Sequence, residues 1–398
     1  MARKPKRDLT VNEQLARGPM DLPFLMLVLL LLGIGLIMMF SASYATAYYH
    51  DGDPLLYIAR QAMFGGVGVV AMYVVSKINY QTFRWMAPIA LVGSIFLLLL
   101  VYTPLGVERN SARRWLKLGI EFQPSEFAKI AVILFFAARL CKRDTEKHKR
   151  YKNRSFFGRL YNLLDRIGFI ELVPYMLVLG VVAGLVVFQP HMSGTLLILA
   201  GGASVLFAAG IHWGWFLAGG SLVGGLAAII IAFTPYMNAR IDLWQNPWNY
   251  IQGNGYQTVQ SLIAMGSGGL LGLGFGNSMQ KMLYLPELEN DFVFPIVVEE
   301  LGFVGGLVVL ILFALLILRG YWLALHARDK FGALTIVGII TLLAVQVFLN
   351  IGVVTNLIPN TGISLPFFSY GGTALMIQLA EMGMVLSISR QIRAPKND

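Results

Sequence analysis

Residues 253–306 read GNGYQTVQSLIAMGSGGLLGLGFGNSMQKMLYLPELENDFVFPIVVEELGFVGG. The segment opens polar and glycine-rich, passes through YLPELEND, and enters an apolar run that carries two adjacent carboxylates, Glu299 and Glu300. Asp291 stands where the polar part gives way to the apolar part. Ionisable groups at and inside such a boundary are expensive, which makes them candidates for function. The residues alone leave two readings of Asp291 open. It is either the N-cap of the helix that follows, a role aspartate fills well, or a carboxylate at the mouth of a cavity, placed as a general base.

The boundary is one between water and lipid. Of the 398 residues, 57% are hydrophobic and only 13% charged, with a mean hydropathy of +0.66. So little charge does not cover the surface of a soluble protein, and repeated long apolar runs point to a bilayer. Ten runs are candidate spans: 22–41, 61–76, 85–102, 125–140, 172–188, 192–209, 213–233, 292–318, 334–354 and 373–389. The first is too long for a signal-peptide core and reads as an uncleaved helix. The expected fold is therefore an all-α polytopic membrane protein of about ten helices.

Charge sets the expected orientation. Most of the 31 lysines and arginines fall on the N-terminal tail, on alternate connections and on the C-terminal tail. The opposite side keeps Arg60, Arg109, Arg113, Arg114, Lys117, Arg240 and Lys281. The positive-inside rule then puts both termini in the cytoplasm. The chain divides into a basic tail (1–21), one membrane domain (22–390) and a short tail (391–398). Within the domain, 141–170 is a basic cytoplasmic loop suited to anionic headgroups. Residues 234–291 form a large outer loop between helices 7 and 8, with a short helix at 256–265 and glycines after it that permit a re-entrant path. The net charge of +10 is accounted for by this topology, so nucleic acid is not an expected partner. The single cysteine, Cys141, excludes a disulfide framework and a CxxC metal or redox motif.

Further candidates lie on the same outer side. Arg113 and Arg114 sit where cations are disfavoured, and the arginine fork suits phosphate oxygens; an interfacial helix anchored by Trp115 is the blander alternative. Pro124 and Ser125 start a helix that puts Glu126 and Lys129 on one face, an ion pair that either lines a pathway or fixes register. Glu299 and Glu300 differ by about 100° in direction on a helix, so at most one faces a given cavity. The segment NLIPNTGISLPFFSYGG (356–372) is irregular backbone of the kind tolerated at membrane depth only when buried or lining a cavity; it carries Ser369. His191 in QPHMSG reads as a hydrogen-bonded loop residue. The pairs Gly180/Gly184, Gly220/Gly224 and Gly302/Gly306 suit close helix packing.

Taken together, RRW, QPSEFAK, NPW, GYQ, QSLIAMGSGG, GNSMQK, YLPE, DF, IVVEELGF, NIGVV and SYGG resemble the SEDS family (shape, elongation, division and sporulation), and the resemblance covers nearly the whole chain. GNSMQKMLYLPE is closer to its division and sporulation branch (FtsW- and SpoVE-like) than to the RodA-like branch. The resemblance implies a ten-helix peptidoglycan glycosyltransferase that polymerises lipid II at the outer face of the bacterial cytoplasmic membrane, at the septum in division or in sporulation. It places the essential acid on Asp291, and lipid II contacts on Arg113, Arg114, Gln123, Glu126, Lys129, Lys281 and Ser369, with support from Glu299 and Glu300. It leaves a divalent cation, magnesium or manganese, open and implies no organic cofactor. The implied partners are a class B penicillin-binding protein, other division proteins and membrane lipids, with helices 292–318 and 334–354 as candidate contact surfaces. Two departures stand out: Glu289-Asn290 replaces the usual His-Thr, and His191 replaces the usual Asp of a Gln-Pro-Asp turn. A lipid II flippase and a non-catalytic scaffold for a transpeptidase are the competing classes. A flippase needs a polar path through the whole bilayer, whereas the charges here cluster in the outer half.

Overall fold

The computed structural model describes residues 18–109, 112–142, 168–233, 241–253, 255–286 and 288–392. Eleven α-helices run through them: α1 Leu22–Thr46, α2 Leu56–Lys77, α3 Tyr80–Leu100, α4 Pro124–Leu140, α5 Phe169–Val187, α6 Met192–Ala208, α7 Trp213–Phe233, α8 Tyr256–Ser267, α9 Val293–His326, α10 Lys330–Val354 and α11 Gly372–Ile392. All except α8 coincide with the apolar runs. Seven (α1, α2, α3, α5, α9, α10 and α11) are long and apolar enough to cross a membrane, and α6 is a shorter apolar helix. Most of the basic loop, residues 143–167, lies outside the described residues, as do the first 17, residues 234–240 and the last six.

The helices alternate in direction, so the connections collect at two ends. At one end Asp21 caps α1, accepting from the Phe24 amide, and also takes a two-pronged contact from Arg319 of α9 (Nε–Oδ1 3.0 Å, Nη2–Oδ2 2.6 Å). Asp329 caps α10 there and accepts from Tyr80 and Gln81 of α3. These bonds tie distant helices where the bilayer no longer holds them. The other end carries the loops around Asp291.

At that other end a small antiparallel sheet takes the place of the interfacial helix that was the blander alternative there: β1 Gly106–Arg109, β2 Ala112–Leu118 and β3 Ile120–Phe122, in the order β1-β2-β3. The reason is a period of two. Ala112 and Leu116 are buried while Arg113 and Lys117 are exposed, the alternation a half-covered strand requires. Trp115 is therefore a strand residue, not the anchor of an interfacial helix.

The segment that opened the reading is also built differently from a straight span. Gly302, at φ +74°, breaks α9 into two pieces. Residues 268–276, the glycines after α8, fold back against the break. Leu273 and Gly274 donate to the Glu299 and Glu300 carbonyls, and the Phe303 and Val304 amides donate to the Gly269 and Leu270 carbonyls. The interruption frees these backbone groups, and the loop satisfies them in turn, as an apolar environment demands. A Cβ on Gly302 would overlap the backbone of Leu270, Leu271 and Gly272. Helices α2 and α11 also meet closely, where a Cβ at Gly383 would stand 2.6 Å from the Met72 carbonyl oxygen. By contrast, among the described residues no neighbouring segment comes within 4 Å of the Cβ position at Gly180, Gly184, Gly220 or Gly224.

Candidate functional site

Glu126 and Lys129 sit one turn apart at the start of α4, and their charged groups are 2.7 Å apart, with Lys129 almost fully buried. They line a small, partly open cavity together with Gln346 of α10, Gln378 and Glu381 of α11, and residues 364–367 and 369–371 of the loop before α11. Ser369 is among those loop residues. Its hydroxyl accepts from the Leu365 amide at 2.7 Å, and its carbonyl accepts from Gln61 of α2 at 2.9 Å. The Gly371 amide donates to the other side of the Gln61 amide group. A fully buried glutamine thus holds the loop from behind. Glu381 also lies within electrostatic reach of both Lys129 and Glu126.

Asp291 stands one residue ahead of Phe292, the N-cap of α9, a cap without a side-chain bond. Its carboxylate lies beside Gly362, where a Cβ would be 3.4 Å from Oδ2. Gly362 belongs to the same connection, 355–371, that supplies the cavity wall. Three further bonds stitch the Asp291 segment to this connection. The Tyr370 amide donates to the Glu289 carbonyl at 2.6 Å. The side chain of Asn350 in α10 donates to the Asp291 carbonyl at 2.9 Å and to the Ile363 carbonyl at 2.6 Å. Asp291 and the Glu126–Lys129 pair therefore flank one irregular segment. The segment is fixed from α2, α10 and α11, since the Phe367 amide donates to Gln378.

The two neighbouring arginines part company. Strand geometry sends consecutive side chains to opposite faces. Arg113 is exposed and pairs with Glu108 at 3.4 Å, both side chains being more than half exposed. Arg114 turns inward and donates to the Pro190 carbonyl. Its Nε is buried without a partner. Beside it the ring of His191 meets Gln123 Nε2 (3.3 Å) and Ser125 Oγ (3.4 Å). Burial pushes the His191 pKa down to about 3, and the nearby Arg114 and Lys129 add to the effect. The imidazole is thus neutral at physiological pH and serves as a hydrogen-bonding post that joins the tight turn before α6 to the start of α4.

Glu299, Glu300 and Lys281 form a separate buried cluster. Lys281 Nζ is 2.8 Å from Glu300 Oε1, and Ser41 of α1 donates to both oxygens of Glu300 at 2.7 and 2.8 Å. Glu299 accepts from the Ser278 hydroxyl and from the Met279 and Gln280 amides. The adjacent carboxylates take different partners within one segment, residues 278–281. The structure gives both acids partners within the chain, and it puts Lys281 with Glu300 rather than in the wall of the cavity.

The sequence reading passed over Asn350, Gln61 and Glu381. An acid inside the apolar run 373–389 meets the same rule that singled out Glu126, so Glu381 was within reach. Asn350 and Gln61 are uncharged and bond to backbone far away in sequence, which no local pattern reveals. Among the described residues, no three His, Cys, Asp or Glu side chains come together in a way that could hold a metal ion.

Comparison with known proteins agrees with this architecture. The cell cycle protein family of FtsW, RodA and SpoVE matches residues 22–394. Stage V sporulation protein E of Bacillus subtilis (strain 168) is 41% identical over 380 residues, covering 94% of this chain and 98% of the relative. The probable peptidoglycan glycosyltransferase FtsW of Geobacter sp. (strain M18) is 37% identical over 379 residues, covering 94% and 97%. Among solved structures, a chain from a peptidoglycan synthase complex in which polymerization and crosslinking are coordinated superposes with a TM-score of 0.74 at 26% identity, covering 94% of this chain and 99% of that one. The rod shape determining protein RodA of Thermus thermophilus superposes with a TM-score of 0.64 at 28% identity, covering 94% and 98%. Matched across nearly its whole length, this chain is a membrane protein of the FtsW/RodA/SpoVE family.

Proposed function

We propose that the chain is a peptidoglycan glycosyltransferase whose substrate is lipid II and whose reacting groups gather at the Asp291 end of the bundle. The observation that carries the reading is one irregular segment, 355–371, flanked by Asp291 on one side and by the Glu126–Lys129 cavity on the other. Acid, cation and hydroxyl-bearing loop are held on helices rather than on a free surface, the condition for holding reactants in a fixed geometry.

In this reading Asp291 is the general base. A sugar hydroxyl of the acceptor attacks the anomeric carbon of the donor. The bond from that carbon to the lipid pyrophosphate breaks as the new glycosidic bond forms, and the hydroxyl proton passes to the Asp291 carboxylate. Such proton transfer contributes on the order of 10²–10⁴ in rate. The departing pyrophosphate needs cationic stabilisation rather than a proton, so one carboxylate suffices, unlike glycoside hydrolysis with its two. Arg114, half-buried with an unpaired Nε, is better placed to give it than Arg113, which is solvated and paired with Glu108. Lys129 is available only in competition with Glu126. Among the described residues, no set of three or more His, Cys, Asp or Glu side chains gathers around these groups to hold a divalent metal.

The orientation that follows has both termini in the cytoplasm and the Asp291 end outside the cytoplasmic membrane, where septal synthesis in division or sporulation takes place. A class B penicillin-binding protein is the proposed partner. The far piece of α9 presents Phe303, Leu307, Ile311 and Leu315 outward, an apolar face for lipid or a partner helix. The α10 surface is mostly buried and offers chiefly Phe348, so α9 is the stronger candidate. The test is polymerisation of labelled lipid II by the purified protein, with and without that partner. Glycan strands are expected; their absence where a known polymerase makes them, together with transbilayer movement of lipid II, would favour a flippase.

A further inference from the structure

Asn350 lies in the last third of α10, fully buried at 0% exposure. Its amide group spends both of its N–H bonds on backbone carbonyls outside its own helix. One goes to Asp291 at 2.9 Å and the other to Ile363 at 2.6 Å. Because both partners are acceptors, only the nitrogen can face them, so the orientation of the amide is fixed by chemistry. Its Oδ1 is left buried with no partner. Buried polar atoms without a partner are the minority in protein interiors, and each one calls for an explanation. The two carbonyls it joins belong to the residue proposed as base and to the neighbour of Gly362, against which that base lies.

We propose that Asn350 is a positioning residue for the transfer reaction: it clamps the Asp291 backbone to the 362–363 segment, so that the carboxylate stands at a set distance from the cavity wall. This rests on the reading of Asp291 as base. The clamp works through the main chain and does not touch substrate. It fixes the strand of chain that carries the carboxylate from a helix that is itself buried on most sides. Together with the Tyr370–Glu289 bond, it makes the two loops a single platform. Displacement of a reacting group by about 1 Å is enough to cost on the order of 100-fold in rate.

The experiment is steady-state polymerisation of lipid II by Asn350→Leu in the full chain with its partner. Leucine is nearly isosteric and removes the stranded oxygen along with the two donors, which favours a folded variant. Asn350→Ser, with a single donor, is read in the same way if the leucine variant does not accumulate. The expected result is kcat lowered about 100-fold, with KM for lipid II unchanged and a modest loss of thermal stability from the two carbonyls left without a donor. In an Asp291→Asn background, Asn350→Leu should bring no further fall in the residual rate, since residues acting as a unit are non-additive. An unchanged kcat in the folded variant overturns the inference, as does a rise in KM alone or a full additional loss in the Asp291→Asn background. If Asp291→Asn itself keeps full activity, the reading of the base fails; if only the Asn350 variants keep it, this inference fails alone.

Discussion

Replacing Lys281 by methionine removes the cation from a carboxylate that has no access to solvent. Glu300 is 0% exposed, and its oxygens are held by Lys281 at 2.8 Å and by the Ser41 hydroxyl at 2.7 and 2.8 Å. With the lysine gone a single hydroxyl remains, and the charge stays in a low-dielectric site. Breaking a buried pair from one side destabilises by about 3–5 kcal/mol, whereas replacing both members by uncharged groups of similar volume is close to neutral. Lys281→Met alone should therefore lower the thermal midpoint in detergent by several degrees. Lys281→Met with Glu300→Gln should restore most of it, because the amide still bonds to Ser41. Activity separates the two roles of Lys281. A lysine that touches substrate leaves the double variant inactive, while a lysine that anchors 278–281 to α9 leaves it active once stability returns. A single variant as stable as the parent, or a double variant less stable than the single, would show that Glu300 does not depend on Lys281 for its burial.

Acid should act through His191: its pKa is lowered to about 3 in the folded protein, against about 6.5 unfolded. The contribution is intact above pH 7 and is lost progressively as pH falls from about 6.5 toward 3, amounting to about 2 kcal/mol at pH 5. Thermal unfolding of His191→Gln against the parent across that window checks this, and parallel curves would contradict it. Gly302→Ala places a Cβ at φ +74° against the backbone of 270–272. It should destabilise by a few kcal/mol, read as loss of folded protein by size-exclusion chromatography. Arg114→Ala should raise KM for lipid II by about tenfold, as loss of a charge-assisted bond of roughly 1.5 kcal/mol would. Arg113→Ala, which breaks only an exposed pair worth at most about 1 kcal/mol, should leave it nearly unchanged; equal effects would sink the distinction.

The helices were legible because each transmembrane run must be apolar over its whole length, a signal that survives without any tertiary knowledge. The sheet at 106–122 was not, since two arginines and a tryptophan near a membrane suit an interfacial helix and a strand equally until the burial of Ala112 and Leu116 is known. The break at Gly302 was half-legible. The glycine was noted as a packing residue, but that 268–276 folds back to bond with the exposed carbonyls depends on residues thirty positions away. Glu299 and Glu300 show the same limit. Their place in an apolar run marked them as important, while their partners Ser278, Lys281 and Ser41 come from other segments. Asp291 was read as a cap or a base, and the structure gives α9 a cap at Phe292 without side-chain bonding.

The most direct test of the account is polymerisation of labelled lipid II by Asp291→Asn, a change that keeps size and hydrogen bonding but cannot accept the proton. The account predicts a folded, partner-binding protein whose strand synthesis is lowered by at least about 100-fold. Synthesis at the parent rate would contradict it.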